Sequence, residues 1–147
     1  MKEHELLKFE SVVIGQASVS KEEAINMAGR RLLDGQYVLP EYLAAMQERE
    51  KVCTTYIGNG VAIPHGVNEA KKSILKSGIS VIQFPEGVDF GDGNIAYLVI
   101  GIAGKNDEHL AILANLAELI SDEDIIKPLY TEQNKEQLYK VFTQQNN

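Results

Sequence analysis

The residue best placed for chemistry in this sequence is His65, which stands between Pro64 and Gly66 directly after the apolar run Val61-Ala-Ile63. Pro64 restricts the backbone ahead of the histidine, and Gly66 permits a tight turn with space beside the ring. An imidazole at the edge between a strand and a loop can serve as a nucleophile, an acid–base group or a metal ligand. A turn histidine without a chemical role is the alternative interpretation.

A second histidine, His109, falls in the first turn of a predicted apolar helix, on the same face as Leu113 and Leu116. This spacing directs the ring along the apolar face and away from open solvent. Free N–H groups and the positive dipole end of a helix N-terminus favour an anion and disfavour a cation. We therefore expect His109 to be neutral and to donate an N–H group; a capping or packing histidine is the alternative.

Arg49 is a candidate for a fixed positive charge beside these histidines. It lies near the end of a helix predicted from Pro40 to about Glu48–Glu50, on the same face as Tyr42. Its guanidinium carries forked donors that match the oxygens of a phosphate group. An ordinary arginine at a helix end, next to acidic neighbours, is the alternative.

Other common reaction centres lack the residues they need. Zinc sites use typically three or four protein ligands, and no third histidine or cysteine stands at ligand spacing beside His65 and His109. We therefore expect no metal and no cofactor. The sequence contains neither the G-x-S-x-G motif of hydrolases nor the G-x-x-x-x-G-K-[ST] phosphate loop. Cys53 has no obvious activating neighbour, and it is expected to be an inert residue near the core.

Composition excludes several classes of partner. The chain has 147 residues, with 14 Lys and Arg against 21 Asp and Glu, for a net charge of −7. This acidity argues against binding nucleic acid or an anionic membrane through clustered positive charge. The N-terminus lacks the apolar run of a secretory signal, and the longest apolar stretch, Ile95–Ala103, is too short to span a bilayer. The expectation is a cytoplasmic chain with one domain over residues 1–147. Its third histidine, His4, is left without a role.

Hydrophobic periodicity predicts where the strands lie. The predicted strands are Ser11–Gly15, Val61–Ile63, Ile79–Phe84 and Ile95–Ala103, the last of which is apolar enough to be buried on both faces. The Pro- and Gly-rich segment Pro85–Gly93 is predicted to be a loop.

Capping residues and apolar spacing predict the helices that separate these strands. The first predicted helix starts at the capping box Ser20–Glu23 and ends near Gly35. The second runs from Pro40 to about Glu48–Glu50, and the third from Asn106 or Asp107 to about Ile120. Two further helices start at Ser121 and at Asn134, and a helical turn is predicted near Asn68–Leu75. The last few residues, from Gln144, look frayed. Strands interleaved with helices favour a three-layer α/β/α sandwich with a mixed β-sheet flanked by helices.

One segment, Gly58-Asn-Gly-Val-Ala-Ile-Pro-His-Gly66, resembles the histidine loop of the phosphoryl-carrying IIA proteins in the mannitol/fructose group of the bacterial sugar phosphotransferase system. The resemblance extends to the Arg49-Glu50 helix end, to Phe84–Gly91, and to Leu98–Ala103 followed by Asn106–Leu110. It spans nearly the whole chain. The fold it implies is the same α/β/α sandwich with a mixed sheet.

The resemblance also implies roles for the candidate residues. His65 is similar to the histidine that accepts the phosphoryl group, His109 to the second active-site histidine that donates to the phosphoryl oxygens, and Arg49 to the charge that steadies them. The implied phosphoryl donor is the carrier protein HPr. The implied acceptor is a cysteine of the IIB component, which phosphorylates mannitol as it crosses the IIC permease. Membrane contact would be indirect, and nucleic acid is not implied.

Within the family the chain resembles the mannitol type, at Leu32-Leu33, Pro40-Glu41-Tyr42 and Thr54-Thr55-Tyr56, where fructose-type and nitrogen-regulatory relatives tend to carry a Ser-Thr-Gly-like stretch. The IIB and IIC parts are expected on other polypeptides. Because both partners must reach His65 in turn, we expect a shallow depression with an apolar rim. The alternative is a regulatory or fructose-type IIA protein whose phosphorylation state controls partner binding.

Overall fold

One mixed β-sheet forms the centre of the molecule. A computed structural model describes residues 6–106 and 108–144. His4, Asp107 and residues 145–147 lie outside these ranges, so the predictions that concern them fall outside the described residues. The strand order is β1-β4-β5-β3-β2. The strand bounds are Val12–Val13 for β1, Tyr56–Gly58 for β2, Val61–Ala62 for β3, Gly78–Asp89 for β4 and Ile95–Ala103 for β5.

The helices lie between the strands as their periodicity predicts. Their bounds are Lys21–Asp34 for α1, Tyr42–Val52 for α2, Glu108–Ile120 for α3, Glu123–Ile126 for α4 and Lys135–Gln144 for α5, with 3₁₀ turns at Phe9–Ser11, Asn68–Ser73 and Lys127–Tyr130. The predicted cap of α1 is confirmed, because Ser20 Oγ accepts the N–H of Glu23 at 3.1 Å. Of the helices in the described residues, none has the length and apolar character needed to cross a bilayer.

Helices cover both faces of the sheet, and each face has its own core. On one face α1 and α2 pack against alternate residues of the sheet, including Val99 and Ala103 of β5. On the other face α3, α4 and α5 pack against Leu98, Ile100 and Ile102 of the same strand. Because successive side chains of a strand point to opposite faces, β5 contributes to both cores. The predicted three-layer α/β/α sandwich is confirmed.

Strand directions determine which chain segments meet at each edge of the sheet. β4 pairs antiparallel with β5, and β2 pairs antiparallel with β3, whereas β1 with β4 and β3 with β5 are parallel. The sheet is therefore mixed, as predicted. Since β3 and β5 are parallel neighbours, their carboxyl ends lie at the same edge, and the segments that carry His65 and His109 leave the sheet side by side.

The loop predicted over Pro85–Gly93 is wrong in its first half, because β4 continues through it to Asp89. The pairing of β4 with β5 changes register between Gln83 and Val88. Pro85 falls in this irregular stretch, where the N–H group that proline lacks is not needed for regular pairing. Proline content alone therefore predicts the end of a strand where the structure has an irregularity within one.

Element boundaries differ from the predictions by a few residues elsewhere. The first strand is confined to β1, the second helix begins at Tyr42 and extends to Val52, and the short helix is capped by Asp122 instead of Ser121. The carboxylate of Asp122 accepts the N–H of Asp124 at 3.1 Å. Asn106 has a φ of 59°, which is left-handed backbone and not the extended conformation of an N-cap.

Candidate active site

Backbone hydrogen bonds attach the segment that carries His65 to strands on both sides. The N–H of Ile63 donates to the carbonyl of Thr55 at 3.0 Å, and the N–H of Ile102 donates to the carbonyl of Pro64 at 2.9 Å. His65 itself forms an isolated parallel bridge with Ile102 of β5. The sheet therefore fixes the backbone of the candidate nucleophile.

Tyr42 supplies a further attachment just beyond the histidine. Its hydroxyl donates to the carbonyl of Ile102 at 2.8 Å and accepts the N–H of Gly66 at 2.8 Å. A Cβ atom added at Gly66 would lie 2.6 Å from the Tyr42 ring, so glycine is needed for this close packing. Burial raises the pKa of Tyr42 to about 12, and the hydroxyl therefore stays protonated and can keep both bonds.

The ring of His65 is oriented by a hydrogen bond from Nδ1 to the carbonyl of Ile63 at 2.9 Å. A carbonyl oxygen only accepts, so this bond requires the proton of the neutral ring to be on Nδ1. The lone pair is then on Nε2. This is the arrangement that a nucleophilic imidazole needs, with one nitrogen held and the other free to attack.

His109 lies beside His65, with the two ring centroids 5.2 Å apart and the ring planes inclined at 58°. It is the second residue of α3, so it stands at the N-terminal end of the helix as predicted. A Cβ atom at Gly104 would lie 2.4 Å from the Cα of His109, and the strand end and the helix start can approach this closely only because residue 104 is glycine. Parallel strand ends and one glycine thus bring the two histidines together.

Burial lowers the pKa of both histidines below the usual value of 6.5. At His65 the charge of Arg49 acts in the same direction, whereas the bond to the Ile63 carbonyl and the charge of Glu50 oppose it. At His109 the charges of His65 and Lys71 add to the effect of burial. The neutral state expected for His109 agrees with this direction, although burial, and not the helix end, is the largest cause.

Arg49 lies in the last turn of α2, and its guanidinium folds over the end of the helix. Its Nη1 donates to the carbonyl of Cys53 at 2.6 Å. Within the described residues the guanidinium makes this one hydrogen bond, so its remaining donors are not engaged by that part of the chain. The expectation that Cys53 lies near the core is wrong: it follows the helix in extended backbone and is exposed.

Two residues of this region, Tyr42 and Glu50, were not assigned to the site on sequence grounds. The helical spacing placed Tyr42 on the face of Arg49, but only as an apolar residue. In the sequence Glu50 looks like an ordinary acidic neighbour of Arg49, whereas in the structure its side chain is 4% exposed. Its partners are up to 29 residues away in sequence, at Lys21, or lie beyond the helix end, at Thr55.

An open cleft of about 240 Å³ adjoins His109, and Gly66, Lys71 and Gly104 are among the residues that line it. The ammonium of Lys71 is therefore a second cation near the histidine pair, besides Arg49. Among residues 6–106 and 108–144, no group of three or more His, Cys, Asp or Glu side chains is arranged to hold a metal ion.

Comparison with known proteins gives the same result for sequence and for structure. Residues 5–145 match the model of the family "Phosphoenolpyruvate-dependent sugar phosphotransferase system, EIIA 2". The chain is 48% identical over 142 residues to the mannitol-specific phosphotransferase enzyme IIA component of Bacillus subtilis, covering 97% of this chain and 99% of the relative. It is 47% identical to part of the mannitol-specific EIICBA component of Escherichia coli, covering 82% of this chain and 19% of that longer protein.

A solved structure agrees with these sequence matches. The complex of enzyme IIAMTL with phosphorylated enzyme IIBMTL from Escherichia coli contains a chain that superposes with a TM-score of 0.87 at 41% identity. The alignment covers 93% of this chain and 98% of that one. Together with the family match over residues 5–145, this shows that the chain belongs to the EIIA 2 family of the phosphoenolpyruvate-dependent sugar phosphotransferase system.

Proposed function

We propose that this chain is a mannitol-specific IIA component that carries a phosphoryl group on His65, from phospho-HPr to a cysteine of the mannitol IIB component. The observation that carries the proposal is the ring of His65, held at Nδ1 by the Ile63 carbonyl and left with its lone pair on Nε2. The ring of His109 lies beside that of His65, and the charge of Arg49 acts on the pKa of His65; both side chains are donors suited to phosphoryl oxygens.

Transfer would take place in two displacements at phosphorus. First, Nε2 of His65 attacks the phosphohistidine of HPr; a new N–P bond forms while the N–P bond of the donor breaks, and the HPr imidazole keeps the electron pair. Second, a thiolate of IIB attacks the same phosphorus, forms an S–P bond and releases the His65 imidazole. Burial keeps His65 neutral at cytoplasmic pH, so no general base is needed for the first step.

The neighbouring donors would stabilise the charge on the transferred group. Phosphoryl transfer passes through a loose state with charge spread over three oxygens, so positioning and electrostatics provide most of the catalysis. His109, neutral and 5.2 Å from His65 between ring centroids, would donate an N–H to one oxygen. Arg49 would supply the permanent charge. With these donors the reaction requires no metal and no cofactor.

The sugar and the acceptor are proposed from the relatives. The Bacillus subtilis relative, which matches over nearly its full length, is described as mannitol-specific, and so is the Escherichia coli EIICBA component, which matches over one part. The solved Escherichia coli complex holds IIA with phosphorylated IIB. We propose the corresponding IIB as the acceptor here and contact with the membrane only through the IIC permease, so that the chain, a single domain over residues 1–147, acts in the cytoplasm.

Apolar side chains near the site provide a surface on which partners could dock. Val52 at the end of α2 is 75% exposed, and Leu110, next to His109, is 71% exposed. A donor and an acceptor that must bind in turn are served by small interfaces of this kind, which form and dissociate quickly.

Labelling with phosphoenolpyruvate, Enzyme I and HPr tests the proposal. The wild-type chain is expected to acquire one phosphoryl group and to pass it to purified mannitol IIB faster than to fructose IIB. His65→Ala, checked by its unfolding temperature to be folded, should acquire none. Labelling of His65→Ala at the wild-type rate would contradict the assignment of the nucleophile.

The same reagents separate transport from regulation. A labelled chain that transfers to neither IIB protein, and that binds a regulatory protein only in one phosphorylation state, would support the regulatory alternative. Rapid transfer to fructose IIB in preference to mannitol IIB would support the fructose type.

A further inference from the structure

Glu50 is a buried carboxylate that the proposed mechanism does not use. Its side chain is 4% exposed, and Oε1 accepts two hydrogen bonds from Thr55, one from the backbone N–H at 3.0 Å and one from the hydroxyl at 2.6 Å. Among the described residues no donor lies within hydrogen-bond distance of Oε2. The ammonium of Lys21, 3.9 Å from Oε2, forms the one ion pair of Glu50 in that part of the chain.

A continuous series of hydrogen bonds leads from this carboxylate to the ring of His65. Glu50 holds Thr55; the carbonyl of Thr55 accepts the N–H of Ile63 at 3.0 Å; and the carbonyl of Ile63 accepts the proton on His65 Nδ1 at 2.9 Å. The N–H and the carbonyl of Thr55, and those of Ile63, belong to neighbouring peptide groups, so the series connects the carboxylate to the ring through the position of the backbone.

We propose that Glu50 is a positioning residue for His65: acting through Thr55 and Ile63, its carboxylate places the carbonyl that orients the histidine ring. The inference rests on the proposed role of His65 as the phosphoryl acceptor. It assigns Glu50 no contact with the phosphoryl group itself.

The charge on Glu50, and not its shape alone, is part of this role. A glutamine would fill the same space and offer Oε1 to the same two donors, without the cost of burying an ionised group that has one oxygen unpartnered. The negative charge also opposes the effects of burial and of Arg49 on the pKa of His65. The carboxylate thus makes Nε2 more basic, and a more basic imidazole is the better nucleophile.

The test compares three variants on the full chain. Glu50→Gln removes the charge and keeps the acceptor, Thr55→Val removes the hydroxyl and keeps the backbone bonds, and Glu48→Gln is the control. Glu48 is exposed on the same helix, so its substitution removes an equal charge without touching the series. The readouts are the ¹⁵N shifts of the His65 ring against pH, the unfolding temperature, and the rate of phosphorylation by phospho-HPr.

Glu50→Gln is expected to lower the pKa of His65 and to slow phosphorylation on the order of tenfold, the scale of a small loss of alignment. Its unfolding temperature should not fall, because the buried charge is removed. Thr55→Val should raise the fraction of the neutral ring that is protonated on Nε2. Glu48→Gln should match the wild type in every readout.

Unchanged ring shifts and an unchanged rate in Glu50→Gln would overturn the proposal. So would a slower rate with unchanged ring shifts and a lower unfolding temperature, because that pattern marks a structural role alone. The ring shifts are measured without any partner protein. They therefore test Glu50 even if wild-type chain is not labelled by phospho-HPr, an outcome that would count against the proposed function itself.

Discussion

Among individual residues, the two histidines show how burial keeps an imidazole ring neutral. Each has a lowered pKa, with burial as the largest cause, so each is neutral in the folded chain at neutral pH. They differ in what fixes the ring: His65 has a carbonyl at Nδ1, whereas His109 is placed by the start of α3 against Gly104. One is suited to attack, the other to donate.

Their lowered pKa values predict a pH dependence of stability. In the unfolded chain both rings titrate near about 6.5, above their pKa values in the folded chain, so over the interval between the two values the unfolded state binds more protons. The contribution of the two histidines to the free energy of unfolding therefore rises with pH across that interval and is lost as the pH falls from about 6.5 towards the pKa values of the folded chain.

Urea unfolding at about pH 7.5 and about pH 5.5 measures this dependence. The wild-type midpoint should fall more between the two pH values than the midpoint of the double variant His65→Gln, His109→Gln, in which neither ring can titrate. Equal falls in the two proteins would show that the histidines are not the groups responsible.

At the level of secondary-structure elements, α2 combines two attachments that reach opposite sides of the histidine segment. Tyr42 at its start holds Gly66 and Ile102, and Glu50 in its last turn holds Thr55. The helix thus fixes both the backbone that follows His65 and the strand that orients its ring. Arg49, between these anchors in sequence, is carried by the same rigid element.

Tyr42→Phe is expected to destabilise the fold by about 1–3 kcal/mol and to slow the proposed phosphorylation of His65, because the half-buried N–H of Gly66 and the buried carbonyl of Ile102 lose their partner. The matched control is Tyr97→Phe on β5, since the Tyr97 hydroxyl makes no hydrogen bond within the described residues. Urea midpoints and labelling rates of the two variants provide the comparison. A Tyr42→Phe variant as stable and as fast as Tyr97→Phe would show that the hydroxyl is dispensable.

Local patterns were sufficient to predict the candidate residues and the main helices and strands other than β2, whose residues, Tyr56–Gly58, no predicted strand covers. Apolar runs and the Ser20 cap predicted β5 and α1, because these signals act over a few residues. The extension of β4 was missed because Pro85 reads as a breaker, and only pairing with β5 shows that a bulge accommodates it. The roles of Tyr42 and Glu50 depend on hydrogen bonds to other segments, which spacing along one helix cannot reveal.

In the whole molecule, the core and the site lie at different places on the same sheet. The core of the α3 face is formed by side chains well inside the sandwich, such as Leu116, which is 2% exposed, whereas Leu110 on the same helix is 71% exposed beside His109. We therefore expect stability and the proposed partner recognition to depend on different residues of one helix.

Leu116→Ala is expected to lower the free energy of unfolding by about 2–5 kcal/mol while folded protein remains competent for labelling. Leu110→Ala should leave the unfolding midpoint nearly unchanged and weaken transfer to and from the partner proteins. Urea unfolding and transfer rates measured on both variants check this separation. Similar stability losses in the two would contradict the exposure of Leu110, and equal transfer rates would remove it from the docking surface.

The backbone of Ile102 has a consequence for how this protein can be redesigned. Its N–H is used by Pro64 and its carbonyl by Tyr42, while its side chain points into the core on the α3 face. The segment of His65, the proposed nucleophile, is thus held by main-chain atoms of residue 102 that every amino acid except proline provides. We therefore expect volume-conserving exchanges at residue 102 to change the packing of the core without moving His65.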